Sequence, residues 1–189
     1  MFSKRDVRGG GAFRRFCCGA GATFAAICAL ALCVSRSSRA ESVMVPPALQ
    51  VVLFKKIFAY NRSLRPPVKV LILYAEEFVS AAEEVRRMFE QSAEVTEMLP
   101  FREFPRRSSG ATVAYLLAKS VPLAIREFCV REAVFSVSPI PSLAERGEVS
   151  VAIGIKEDHK PEIVVHLPRA KLEGQDLQMP LLSLARVIR

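Results

Sequence analysis

Tryptophan is absent from the 189 residues, and histidine occurs only twice, as His159 and His166. His159 stands in a charged turn, where an imidazole reads as solvated, and His166 ends an apolar stretch, where it reads as a hydrogen-bonded structural residue. At neither does a metal ligand outweigh that solvated or structural role, so no metal is expected. Cysteine is scarce where it would count. Cys17, Cys18, Cys28 and Cys33 all fall in the first forty residues and leave Cys129 alone in the remainder. One cysteine excludes an internal disulfide and a multi-thiolate zinc site, and between Phe128 and Val130 it reads as a small buried hydrophobe.

Glycine is equally thin. Gly9, Gly10 and Gly11 precede any predicted strand, and Gly147 and Gly154 are isolated, so no phosphate-cradling loop exists and no cofactor is expected. Glu83 and Glu84 are adjacent on a helix and diverge by ~100°, which prevents them from converging on one substrate. Ser108 and Ser109 have no oriented base in any motif. Arg102, Arg106 and Arg107 lack the interleaved aromatics that stack on bases. The sequence therefore predicts a chain without a catalytic constellation, and not an enzyme.

What is present begins with an address. Lys4, Arg5, Arg8, Arg14 and Arg15 lead into an uncharged run, residues 16–34 (FCCGAGATFAAICALALCV), which closes on Ser38, Arg39 and Ala40. Basic, apolar and small-residue parts in that order make a secretory signal with a cut after Ala40. An uncleaved anchor is the competing reading, since 19 residues at ~1.5 Å each just span a ~30 Å hydrocarbon core. Leu32 and Ile27 before Cys33 and Cys28 replace the small residue that lipidation needs. Residues 1–40 hold seven of the 27 basic residues and one of the 19 acidic ones, leaving 20 against 18. The formal +8 of the whole chain thus shrinks to near +2, which removes the argument for a nucleic-acid partner. About 149 residues after Ala40 suffice for one domain with its own core.

After a short tether, residues 41–47, a helix is predicted from Ala48, with Leu49, Leu53, Ile57, Tyr60 and Leu64 inward, stopped by Arg65-Pro66-Pro67. Residues 68–74 read as a central parallel strand, 76–92 as an amphipathic helix and 95–104 as a second extended segment. Glu83 and Arg87 form an i,i+4 pair on its wet side. Further strands are expected at 112–117, 133–137, 149–155 and 162–167, with helices at 123–130 and 169–173 and a last one from Pro180 carrying Leu181, Leu182, Leu184, Ala185 and Ile188. The short charged turn 156–160 joins antiparallel neighbours. The sum is a single three-layer α/β domain over residues 48–189, with a mostly parallel central sheet and an antiparallel edge hairpin.

The C-terminal stretch carries a resemblance. Residues 162–167 (EIVVHL), 169–174 (RAKLEG, ending in Gly174) and 181–188 (LLSLARVI) resemble the close of the YfiR (HmsC) family. That family ends in a strand of the form "feiNl", an alanine-bearing helix before a glycine and a terminal "LLrlA" helix. His166 stands where the family has Asn, and the positions that carry the pattern are His166, Leu167, Gly174, Leu181, Leu182, Leu184 and Ala185. The opening helix (LFKKIFAY, residues 53–60) is similar to the first mature helix of that family. The resemblance implies a periplasmic, often dimeric regulator, peripheral to the membrane, that engages the periplasmic domain of an inner-membrane signalling protein. The expected partner is a diguanylate cyclase or a histidine kinase, met through Lys55, Lys56 and Arg62 on the first helix. The cysteines that make disulfides in well-known members are missing here, so redox control through them does not carry over.

Two other readings stay open. Crevices at the carboxyl ends of parallel strands are ready sites for small ligands, here the loops after Tyr74 and Val137. A retained leader would instead make a membrane-anchored structural envelope protein.

Overall fold

The computed structural model describes residues 44–91, 95–106, 110–156 and 159–189. The leader with its cut after Ala40, Arg107, Ser108, Ser109 and the acids of the charged turn lie outside them.

Strand β1 (Lys69–Tyr74) shows why the sheet is central: five of its six residues are buried, on both faces. Val70, Ile72 and Tyr74 enter one core, and Leu71 and Leu73 enter the other. That period-two split into two apolar sets is what a strand covered on both sides requires. The remaining strands are β2 (Val95–Pro100), β3 (Val113–Leu117), β4 (Phe135–Ser138), β5 (Val151–Ile155), β6 (Pro161–His166) and β7 (Arg186–Ile188). Their order in the sheet is β2-β1-β3-β4-β5-β6-β7. All neighbours are parallel except β5 and β6, which pair antiparallel. The sheet order reverses between β2-β1 and β3, a topological switch point.

Helices α1 (Pro47–Ala59), α2 (Val79–Glu90), α5 (Leu167–Leu172) and α6 (Met179–Leu184) contribute to one core. Helices α3 (Leu123–Arg131) and α4 (Pro141–Glu145), with a 3-10 segment at Phe101–Arg106, cover the opposite face. The α/β class, the mostly parallel sheet and the antiparallel pair match the reading of the sequence. Within α2, Ala82, Val85 and Phe89 are fully buried as predicted, with Phe78 and Met88 partly covered.

Five local expectations are corrected. Helix α1 ends at Ala59, not at the prolines, because the chain from Tyr60 to Ser63 bonds elsewhere: Arg62 N–H donates to Asp176 O, Gln178 N–H to Tyr60 O and Ser63 Oγ to Gly174 O. Its inward face is also turned. Gln50, Val51, Phe54, Ile57 and Phe58 are buried, whereas Leu49 and Tyr60 are 39% exposed. Apolar residues run almost all round this helix, so spacing alone does not select a face, and the buried hydrogen bonds of Gln50 do. Residues 101–104 leave the extended conformation for a 3-10 segment that buries Phe104 against Phe128, with ring centroids 4.8 Å apart. The last helix stops at Leu184; Ala185 is extended and Arg186–Ile188 becomes β7, parallel to β6. The hairpin therefore lies one strand in from the edge. On α2, Arg87 Nε turns to the Glu83 carbonyl at 3.4 Å, and the ion pair joins Arg86 to Glu90 at 2.7 Å.

Candidate functional site

The carboxyl ends of β1 and β3 meet where the sheet order reverses. Ala75 N–H donates to Leu117 O at 2.9 Å, which carries the strand pairing one residue beyond β1 and holds the two exit loops side by side. The loop after β1 bears exposed Glu76 and Glu77 in the first turn of a 3-10 segment. Glu76 also pairs with Arg102 at 2.9 Å, and both side chains are well exposed. The loop after β3 bears exposed Lys119 and Ser120. Behind them Ser138 Oγ donates to Leu116 O at 2.8 Å and accepts from Ile140 N–H at 3.2 Å, which fixes the exit of β4. The switch point thus carries charges of both signs on two loops anchored by rigid strands.

β3 lies between β1 and β4. The loops after Tyr74 and Val137, expected to share a crevice, are therefore kept apart by β3, and the neighbours at the switch point are the loops after Tyr74 and Leu117. The rim of α3 is set by Glu148, whose carboxylate accepts from Val121 N–H and from Arg146 Nε, each at 2.6 Å. Burial acts to raise the pKa of this carboxyl, but the Arg146 and Val121 hydrogen bonds outweigh it, and the net result lies below the usual carboxylate value.

At the opposite, amino ends of β4 and β5 lies a buried polar cluster. Glu173, fully buried, accepts from Ser136 N–H (2.9 Å), Ser136 Oγ (2.6 Å), Ser150 Oγ (2.5 Å) and Arg169 Nε (2.7 Å). The other side of the Arg169 guanidinium donates to Arg126 O at 2.6 Å. Cys129 is fully buried nearby, as read from the sequence; burial and the Glu173 charge push its thiol far above its ordinary value.

His166 acts as predicted for a structural histidine: its Nδ1 accepts from Arg169 N–H at 3.1 Å and caps α5. Its ring lies so close to Gly147 that an added Cβ there would meet Nε2 at 2.9 Å. Leu167 opens α5, and Gly174, at φ +70°, ends the turn after it. Leu181 is buried, Leu182 half-buried and Leu184 76% exposed, while Ala185 has left the helix. His159 is exposed at φ +59°. Lys56 is exposed on α1 and Lys55 half-buried; Arg62 sits beyond the helix end, 3.9 Å from Asp176. The three do not form one helix face. Among the described residues no group of His, Cys, Asp and Glu is arranged to hold a metal ion, and no helix is long and apolar enough to cross a membrane.

The sequence reading missed Gln50, Arg169 and Glu173. A glutamine among the apolar residues of the first turns of α1, an i,i+4 Arg/Glu pair around an alanine and serines inside apolar strands were the available signals.

No protein-family model matches this chain, and no curated protein matches it. Solved structures do. The ABC domain in complex with L-Trp from Streptococcus pneumonia superposes with a TM-score of 0.53 at 12% identity, over 76% of this chain and 60% of that one. A conserved domain protein from Vibrio cholerae O1 biovar eltor str. N16961 gives a TM-score of 0.52 at 12% identity, with the same shares covered. What is shared is the fold. The chain spans 60% of the length of each of these structures.

Proposed function

We propose that this chain is a small-ligand-binding module that takes an amino-acid-like zwitterion at the crevice between β1 and β3. The observation that carries the reading is the shared fold with a domain held in complex with L-Trp. The crevice chemistry supports it. Lys119 on one exit loop complements a carboxylate, and Glu76 and Glu77 on the other complement an ammonium group. Thermal melting of the full chain against the common amino acids tests it. A saturable rise in Tm with one of them, lost on Lys119→Glu, is expected. A flat panel sinks the proposal.

A second reading is regulation by contact in the periplasm, without catalysis, after delivery by a leader cut at Ala40. Its supports are the resemblance of residues 162–188 to the YfiR family and the exposed side chains on and beside α1. Leu49, Val52, Tyr60, Lys56 and Arg62 all reach solvent there. The partner would be an inner-membrane diguanylate cyclase or histidine kinase, whose two states the regulator separates by its differential affinity. Capture from detergent-solubilised membranes decides this reading. Recovery of a sensor with a periplasmic domain supports it, and a well-folded bait that recovers none counts against it.

A further inference from the structure

Arg126 has a buried Nε without a hydrogen-bond partner, the one buried side-chain nitrogen or oxygen so placed among the described residues. Buried donors in folded proteins are nearly always paired, so such a group calls for an explanation. Glu148 attracts Arg126 electrostatically, yet its oxygens are engaged by Val121 N–H and Arg146 Nε.

Arg126 lines an open depression of about 540 Å³ on the flank of α3, together with Leu123, Glu127, Val130, Arg131 and Arg169. That volume falls within the roughly 300–1,000 Å³ of small-molecule sites. Arg131 is matched by Glu132 at 3.0 Å and Arg169 by Glu173 at 2.7 Å. Arg169 is nevertheless held at the depression, 8% exposed, by its bond to the Arg126 carbonyl. Arg126 therefore supplies the guanidinium at the depression that has a donor left unpaired. Leu123 and Val130, two turns apart on α3 and 59% and 36% exposed, supply apolar surface on either side of it.

We propose that this depression binds a small monocarboxylate with a short apolar tail. The carboxylate pairs with the Arg126 guanidinium, whose fork matches two carboxylate oxygens, and the tail lies along Leu123 and Val130. One free guanidinium suits a single negative charge better than a phosphate dianion. The site is distinct from the crevice between β1 and β3 and does not depend on what binds there.

Calorimetric titration of the full chain with hexanoate, hexanol and inorganic phosphate tests the site. Hexanoate binds saturably; hexanol and phosphate bind far more weakly. Arg126→Met weakens hexanoate by roughly tenfold to a hundredfold, the loss of a charge-assisted pair, without lowering the Tm of the free chain. Glu127→Gln, which removes the carboxylate lining the depression, tightens hexanoate and keeps the test open should Arg126→Met fail to fold. No saturable hexanoate binding, equal binding of hexanol, tighter binding of phosphate, or indifference to both substitutions each overturns the proposal. The Lys119→Glu variant keeps its hexanoate affinity, so failure here and failure of the zwitterion reading are separable.

Discussion

Glu173 and Arg169, one helical turn apart, close a 2.7 Å ion pair with both side chains almost wholly out of water. Such a pair survives burial only when its remaining oxygens and protons are also satisfied. Ser136, Ser150 and the Arg126 carbonyl do this, and they tie α5 to the amino ends of β4 and β5 and to α3. Removing the carboxylate leaves a buried cation and three donors without an acceptor. Glu173→Ala is expected to destabilise the fold by about 3–5 kcal/mol in urea denaturation. Replacing both partners, as Arg169→Met with Glu173→Leu, recovers part of that loss. A single Glu173→Ala variant as stable as the parent would show the pair to be idle.

The Gln50 side-chain amide joins α1 to the sheet: its carbonyl oxygen accepts from Tyr115 Oη, and its amide nitrogen donates to Val45 O. Tyr115 also packs edge-on against Phe54 and Phe89. Gln50→Leu keeps the bulk but strands the phenol, an expected cost of about 1–3 kcal/mol that Tyr115→Phe in the same background partly restores. Burial holds the Tyr115 phenol well above its ordinary value of 10.0. The folded state keeps this proton where the unfolded chain loses it. The stabilisation is therefore full below about pH 10 and declines as pH rises toward the folded value. Denaturation midpoints on the alkaline side read this slope, and Tyr115→Phe should flatten it.

The class of fold was legible because β1, β3, β5 and α2 each bury what their periodicity says they bury. Legibility failed where local pattern and tertiary partner compete. In α1 the apolar residues leave no clear stripe, so the inward face is chosen by Gln50 finding Tyr115, a contact across 65 residues of chain. Residues 186–188 suit a helix continuing α6, and they become a strand because β6 presents an open edge in register with Val164, Val165 and His166. Strand ends could be named as a candidate place in general, but which two loops meet there depends on the strand order, which no local pattern encodes. Arg126 was invisible for a related reason: an arginine in a helix reads as solvated until its Nε is found buried and without a hydrogen-bond partner.

Glu148 gives the molecule an acid-side counterpart to Tyr115. Its carboxyl lies below the ordinary 4.5 in the folded state, with burial opposing the shift and Arg146 and Val121 overcoming it. Its stabilisation is present above the unfolded value and is lost as pH falls through the folded one. Glu148→Gln keeps an acceptor for Val121 N–H but weakens the Arg146 contact, at an expected cost of about 1–3 kcal/mol near neutral pH. The variant should also lose less stability than the parent on acidification. Equal acid limbs in denaturation midpoints would assign the acid sensitivity to other carboxylates.

Gly154 on β5 lies so close to Pro141, the first residue of α4, that an added Cβ would overlap the proline Cγ. The strand and the helix start touch there with no room for a methyl group, and a ring cannot swing aside as a flexible chain end would. Gly154→Ala is expected to cost about 1–3 kcal/mol by overpacking. Pro141→Ala removes the obstructing Cγ, so it should be mild alone and should recover much of the loss when combined with Gly154→Ala. A double-mutant cycle by urea denaturation measures that coupling. Additive effects would mean that the strain is relieved elsewhere. Pro141 directly follows Ile140, whose N–H is held by Ser138 Oγ at the exit of β4. Displacing α4 therefore also disturbs the loop that flanks the crevice. On the proposed reading of that crevice, Gly154→Ala weakens amino-acid binding there and leaves hexanoate binding on the α3 flank at the parent value.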